Sequence, residues 1–107
     1  MREMTAKQVS EWLADTARAT PQLVDVREPW EYATCHIAGA QSMPMRSVPA
    51  RYPELDRNAP TVVICHHGAR SFQVGLFLEQ QGFTDIINLH GGVAAWARDV
   101  DPAMPTY

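Results

Sequence analysis

The sequence has few cysteines, no excess of basic residues and no long apolar run, and each shortage excludes a class of protein. Two cysteines among 107 residues are too few for a disulfide scaffold, and their separation is not the CxxC spacing of redox or zinc sites. The net charge of −3 gives no basic footprint for nucleic acid or an anionic membrane. No segment approaches the roughly 20 apolar residues that span a bilayer, and no apolar signal core follows the first residues. We therefore expect a cytoplasmic protein with no nucleic-acid and no membrane partner.

The length and composition are typical of one small globular domain. At roughly 150 residues per domain, the 107 residues predict a single domain over residues 1–107. Apolar residues make up 46 % and charged residues 20 % of the chain, as in folded proteins and unlike disordered ones.

Strand and helix patterns alternate along the chain. A capping-box pattern at Thr5 begins a helix that is predicted to end between Ala17 and Thr20, before Pro21. Short apolar runs then predict strands, at residues 22–26, 61–65 and 85–89, with a brief strand before Pro44. Strands that alternate with helices indicate an α/β fold with an open, mostly parallel sheet.

Two of the intervening segments differ in character. Residues 45–58 contain prolines that break a long helix, so short helical turns and loop are expected there. The helix after the strand at 61–65 is mostly apolar, and we expect Phe72 and Leu76 to lie in the core. Gly82 is placed to cap its end.

The main chemical clue is the position of Cys65. It ends the most buried strand candidate, and ligand sites in open parallel sheets lie beyond the carboxyl ends of the strands. The residues that follow lead directly into a helix, so several backbone N–H groups and the positive end of the helix dipole can converge on the sulfur. Gly68 lets the loop curl closely, and Arg70 adds a permanent positive charge that can grip an oxyanion.

Such a loop favours the thiolate, which is the nucleophilic form of cysteine. The same amides can stabilise a negative group attached to the sulfur, either a persulfide or a phosphate. A lone cysteine at a strand end is more often a small buried apolar residue, but the loop, the glycine, the arginine and the helix together favour a function. We assign Cys65 as the candidate catalytic residue. The candidate substrate-binding residues are those of the loop, His66, His67, Gly68, Ala69, Arg70 and Ser71.

Three segments resemble the rhodanese family of sulfurtransferases. Residues 23–32, followed by the pair at 36–37, are similar to the family's aspartate-valine-arginine strand end and histidine-isoleucine turn. Residues 65–71 resemble its active loop, and residues 91–96 resemble its closing signature. The match is specific because the segments follow the family's order.

The resemblance implies a five-stranded parallel sheet with helices on both faces, and an enzyme of the thiosulfate sulfurtransferase type. Cys65 would take a sulfane sulfur from a small anionic donor such as thiosulfate and hold it as a persulfide. A thiol, cyanide or a sulfur-acceptor protein would then remove the sulfur. The covalent intermediate splits one transfer into two, and no cofactor is expected.

Two alternative functions remain open. Cysteine-dependent phosphatases and arsenate reductases of the related fold have five residues between cysteine and arginine, whereas four separate Cys65 from Arg70. The shorter loop forms a tighter set of amides, which suits one added sulfur better than a tetrahedral phosphate. The other alternative is a non-catalytic rhodanese-like interaction module, although such modules commonly lack the loop cysteine.

Cys35 departs from the family, which usually has glycine before the histidine that is His36 here. A disulfide between Cys35 and Cys65 would require Cα atoms within about 7 Å, and we expect no such pairing. Residues 99–107 resemble the tail of rhodanese domains fused to enzymes that activate sulfur carriers, which suggests a role in sulfur relay.

The histidines and the charged residues of the first segment have simpler interpretations. No metal site is expected, because adjacent cysteine and histidine side chains rarely face one ion. One of His66 and His67 is expected to face the pocket. Arg27 is left outside the catalytic set, because an ion pair with Asp25 or Glu31 that holds the turn is at least as good an explanation.

Overall fold

The computed structural model describes all 107 residues and contains one five-stranded sheet. The strands are β1 (Arg2–Met4), β2 (Gln22–Asp25), β3 (Gln41–Ser42), β4 (Thr61–Ile64) and β5 (Ile86–Leu89), in the spatial order β1-β5-β4-β2-β3. Each neighbouring pair of strands is parallel. The predicted α/β class and parallel sheet are confirmed.

Helices connect the strands. They are α1 (Ala6–Ala14), α2 (Pro29–Thr34), α3 (Val48–Arg51), α4 (Ala69–Gln80) and α5 (Gly92–Asp99). Short 3₁₀ turns flank α3 on both sides, which confirms the short helical turns expected in this region. No helix has the length and apolar character needed to cross a membrane.

The helices cover both faces of the sheet. Side chains alternate between the faces along a strand, and β4 shows this directly. Val62 and Ile64 belong to the apolar cluster under α1 and α5, whereas Val63 and Cys65 belong to the cluster under α3 and α4. Cys65 therefore faces the α4 side of the sheet.

Two features near the amino end differ from the predictions. The edge strand β1 has only three residues, mostly exposed, and its structure depends on pairing with β5, which no local pattern reveals. The first helix ends at Ala14 and not between Ala17 and Thr20. Asp15 ends it, because its carboxylate accepts the N–H of Ala17 at 2.9 Å and so provides an alternative to the helical hydrogen bond.

The prediction that Phe72 and Leu76 lie in the core is wrong. Their exposed fractions are 42 % and 39 %. The buried residues of α4 are at positions 71, 74, 75 and 78, which form one stripe at helical spacing. The phenylalanine and the leucine lie beside this stripe, on the solvent side.

Candidate active site

Cys65 directly follows β4 and is almost fully buried, with 1 % of its surface exposed. We call residues 65–71 the Cys65 loop. It turns from the carboxyl end of β4 into the first turn of α4. The sequence-predicted site residues are contiguous, so the structure keeps them together around this turn.

Two groups of the Cys65 loop contact the sulfur. The Gly68 N–H donates to Sγ at 3.0 Å, and the Ser71 hydroxyl oxygen lies 3.3 Å from Sγ. Gly68 has a φ of +111°, a left-handed conformation that a side chain would strain. Glycine therefore allows the backbone to bend back onto the sulfur.

The other amides of the loop form a set of unused donors. We call the backbone N–H groups of residues 66–71 the amide cluster. Apart from the Gly68 N–H, its members have no acceptor within the protein: His66, His67, Ala69, Arg70 and Ser71. Three of them open α4, where amides lack intrahelical partners and the helix dipole is positive. The amide cluster can stabilise negative charge on Cys65 or on a group bound to it.

The first turn of α5 holds the loop from behind. The Val93 N–H donates to the Cys65 carbonyl at 2.9 Å, and the Ala94 N–H donates to the His66 carbonyl at 3.1 Å. Gly92, with φ of +59°, lies so close that a Cβ there would be 2.3 Å from the His66 carbonyl oxygen. Only glycine permits this approach, which explains the second glycine of the third segment.

Asn88 of β5 supports the loop from the neighbouring strand. It is buried, with 3 % of its surface exposed. Its Oδ1 accepts from the Ser71 hydroxyl at 2.5 Å, and its Nδ2 donates to the Gly68 carbonyl at 3.1 Å. The sequence analysis did not select Asn88, although a polar residue within an apolar strand was an available signal.

Arg70 is bound by a carboxylate. Its Nη1 and Nη2 donate to the two oxygens of Glu31 at 2.7 and 2.9 Å. These hydrogen bonds lower the pKa of Glu31 to about 2 although burial opposes them, and the same pair raises the pKa of Arg70. Coulombic attraction to Cys65 is a smaller cause of the raised pKa of Arg70. The guanidinium thus acts from a fixed position, and its contact with an oxyanion stays a prediction.

Arg27 is fully buried and holds the turn after β2. Its guanidinium donates to both carboxylate oxygens of Asp25 at 2.7 to 3.1 Å and to the Cys35 carbonyl at 2.6 Å. It also donates to the Tyr107 hydroxyl at 3.0 Å. Of the two partners expected for Arg27, the structure identifies Asp25.

Both loop histidines border a cavity of about 200 Å³ beside the Cys65 loop. The His66 ring stacks on Tyr107 with centroids 4.2 Å apart, and the His67 ring lies 4.0 Å from His66. Burial, and then the charge of His67, lowers the pKa of His66. His66 is therefore mostly neutral near pH 7, where a histidine of ordinary pKa already carries little charge.

Residues 5–99 match the family model of the rhodanese-like domain. The chain belongs to the rhodanese-like family. A sulfurtransferase of Allochromatium vinosum is 40 % identical over 98 residues, which cover 92 % of this chain and 90 % of that protein. The thiosulfate sulfurtransferase GlpE of Pseudomonas paraeruginosa is 42 % identical over 82 residues, covering 77 % of this chain and 74 % of that protein. The crystal structure of a rhodanese-like domain protein from Staphylococcus aureus has a TM-score of 0.82 at 31 % identity, covering 90 % of this chain and 91 % of that one.

In this rhodanese-like chain, Cys35 occupies a position without backbone strain. It caps α2 with a φ of −164°, which is extended backbone that any residue adopts. Its side chain belongs to the apolar cluster under α1 and α5, whereas Cys65 belongs to the cluster on the opposite face. Both are free thiols, as expected from the sequence.

Glu31 and Tyr107 were not selected as site residues either. Glu31 joins the Cys65 loop through Arg70, and Tyr107 joins it through Glu31, to which its hydroxyl donates at 2.7 Å. The three residues lie in distant parts of the sequence. Only the folded chain brings them together, and no local motif announces the contact.

Proposed function

We propose that this rhodanese domain acts over residues 1–107 as one sulfurtransferase, with Cys65 as the nucleophile that carries the sulfur as a persulfide. The observation that carries the proposal is the amide cluster of the Cys65 loop, whose Gly68 N–H donates to the buried Cys65 sulfur and whose other N–H groups have no acceptor in the protein. Backbone N–H groups at a helix start suit an anionic sulfur, because their partial positive charges are fixed and need no reorganisation. The name of the GlpE relative, a thiosulfate sulfurtransferase, supports thiosulfate as one donor.

The reaction proceeds in two displacements. The Cys65 thiolate attacks the outer sulfur of thiosulfate, a sulfur–sulfur bond forms to Sγ, and sulfite leaves with the electron pair of the broken bond. An acceptor thiolate or cyanide then attacks the outer sulfur of the persulfide. Its new bond to sulfur forms as the Sγ–sulfur bond breaks, and the Cys65 thiolate is regenerated.

Local charge attracts the donor in this proposal. The chain has a net charge of −3, which repels an anion at long range. The amide cluster provides positive potential at the site itself, and the side chain of Arg70, although paired with Glu31, remains partly exposed. A sulfur acceptor, whether cyanide, a small thiol or a protein thiol, approaches Cys65 from the same side as the donor.

Phosphatase or arsenate reductase chemistry remains the alternative enzymatic function. Four residues between Cys65 and Arg70 give a tight loop, and Arg70 is bound through both of its terminal nitrogens to Glu31. A non-catalytic module does not require unpaired backbone donors in the loop that follows a buried cysteine. The loop length and the pairing of Arg70 argue against phosphate chemistry, and the unpaired donors argue against a non-catalytic module.

Mass spectrometry of the intact protein tests the proposal. After incubation with thiosulfate the wild-type mass increases by one sulfur atom, cyanide removes the increase, and Cys65→Ser shows none. If the wild-type protein acquires no sulfur from thiosulfate or another sulfane donor, the proposal is wrong. Hydrolysis of an aryl phosphate that is lost in Cys65→Ser, without sulfur loading, would establish the phosphatase alternative.

A further inference from the structure

Asn88 makes two hydrogen bonds that together determine where the proton of the Ser71 hydroxyl lies. A carbonyl oxygen accepts and cannot donate, so the group of Asn88 that faces the Gly68 carbonyl is its NH₂ group. The carbonyl oxygen of the Asn88 side chain therefore faces Ser71. Because that oxygen is also only an acceptor, Ser71 must donate to it.

A hydroxyl group has one proton and two lone pairs. With the Ser71 proton directed to Asn88, a lone pair is left for the Cys65 sulfur, 3.3 Å away. We propose that Asn88 is a positioning residue that orients Ser71 to accept a hydrogen bond from the Cys65 thiol and not to donate one to the thiolate. The hydrogen bonds to the thiolate and the persulfide then come from backbone amides and not from the Ser71 hydroxyl.

This inference concerns the same site as the proposed function, and its relevance to sulfur transfer rests on that function. The hydrogen-bond direction itself can be measured without any sulfur donor. The ultraviolet absorbance of a thiolate, recorded against pH with Cys65→Ser as the blank, gives the pH midpoint of Cys65 ionisation in the whole protein.

Other charged and titratable groups around the loop are unchanged by the substitutions used. They come from the loop itself, from α2, from the turn after β2, from β1, from the residue after β5 and from the end of the chain: His66, His67, Arg70, Glu31, Arg27, Glu3, His90 and Tyr107. In Ser71→Ala and Asn88→Leu, which add no charge, a shift of the midpoint therefore reports on the hydrogen bonds of Ser71 and Asn88.

Ser71→Ala is the first test. If Ser71 accepts from the thiol, its loss removes a partner of the protonated form, and the midpoint stays where it is or falls. If Ser71 instead donates to the thiolate, a hydrogen bond to a charged group is lost and the midpoint rises by about one pH unit. Such a rise would overturn the inference.

Two variants of Asn88 provide the second test. Asn88→Leu keeps a similar volume but accepts no hydrogen bond, so the Ser71 proton is free to turn to the thiolate. The midpoint is then expected to fall by about one pH unit, and adding Ser71→Ala brings it to the midpoint of Ser71→Ala alone. Asn88→Asp still accepts from Ser71 in either protonation state, and its carboxylate disfavours the thiolate where it is ionised, so its midpoint stays or rises.

A purely structural role for Asn88 predicts a different pattern. Loosening the loop would move the midpoint in the same direction in Asn88→Leu and Asn88→Asp, and adding Ser71→Ala would not reverse the shift. That result overturns the inference, and if Asn88→Leu does not fold, Ser71→Ala decides alone. Sulfur loading is measured in parallel: its absence from the wild-type protein would contradict the proposed function and leave the hydrogen-bond direction to be decided by the titrations.

Discussion

Both cysteines are buried, but Cys65 lies before the first turn of one helix and Cys35 lies after the last turn of another. Cys65 precedes α4, and its sulfur accepts a backbone N–H at the positive end of the helix dipole. Cys35 follows α2, and its carbonyl accepts from the buried Arg27. Burial alone therefore does not make a cysteine a nucleophile. What distinguishes Cys65 is the loop that follows it, in which one backbone N–H donates to the sulfur and the others are unpaired.

Gly92→Ala is expected to have the largest effect, because it disturbs the loop whose backbone donors distinguish Cys65 from Cys35. The new Cβ would lie 2.3 and 2.4 Å from the carbonyl oxygens of His66 and Cys65, so the loop must move. We expect sulfur loading to slow by about a hundredfold, which corresponds to about 2.7 kcal/mol, and stability to fall by about 2 kcal/mol. Loading is measured by mass spectrometry and stability by urea unfolding.

Gly39→Ala is the matched control for this prediction. Gly39 also has a positive φ, of +86°, but a Cβ there meets no atom within 4 Å. Gly39→Ala should lower stability through backbone strain and leave the rate of sulfur loading near that of the wild-type protein. Equal loading rates in the wild-type protein and Gly92→Ala would show that the close approach of α5 does not shape the Cys65 loop.

The next prediction concerns the ion pair that connects α2 to the Cys65 loop. The pKa of Glu31 is lowered to about 2 in the folded protein, below its unfolded value of about 4.3. Its stabilising contribution is therefore complete above about pH 4.3 and is lost as the pH falls toward 2. We expect Glu31→Gln to reduce the free energy of unfolding by about 2 kcal/mol at pH 7.

Urea unfolding of the wild-type protein and Glu31→Gln at several pH values checks this sign. The difference between the two should shrink as the pH decreases from about 4.3. A difference that stays constant down to pH 2.5 would mean that the ionised carboxylate contributes nothing. Glu54, which pairs with Arg51 on the surface, is the control, and Glu54→Gln should change stability far less than Glu31→Gln, because solvent screens an exposed ion pair.

The features formed by residues that are adjacent in the sequence were predictable, and the contacts between distant segments were not. The buried strand β4 and the Cys65 loop are local patterns of apolar residues, glycine and a following helix, so the sequence places them correctly. β1 was missed because its three residues acquire strand structure only by pairing with β5. Glu31, Asn88 and Tyr107 reach the loop from three separate segments, and only the folded chain reveals these contacts.

Cys35→Ala is expected to have a smaller effect, confined to stability. It removes a buried sulfur from the apolar cluster under α1 and α5, together with a weak contact 3.8 Å from Arg27 Nη1. A loss of about 1 to 2 kcal/mol on urea unfolding is expected, with sulfur loading within twofold of the wild-type rate. A strong loss of loading with normal stability would show that Cys35 takes part in the transfer and would end the distinction between the two thiols.

The smallest effect is expected at Tyr107, which connects the surroundings of the two cysteines. Its hydroxyl accepts from Arg27, beside Cys35, and donates to Glu31, which holds Arg70. Burial, together with the hydrogen bond to Glu31, raises the pKa of Tyr107 to about 12, so the hydroxyl remains protonated as a donor.

Tyr107→Phe separates this hydroxyl from the aromatic ring. Phenylalanine keeps the stack on His66 and the edge contact with Trp30, so the loading rate should change less than twofold. The lost hydrogen bonds should lower the free energy of unfolding by about 1 kcal/mol. Glu31→Gln and Tyr107→Phe share this network, so their effects on urea unfolding should not add. Simple additivity would mean that the Tyr107 hydroxyl does not couple Arg27 to the Glu31 carboxylate. The surroundings of the two cysteines would then be energetically independent.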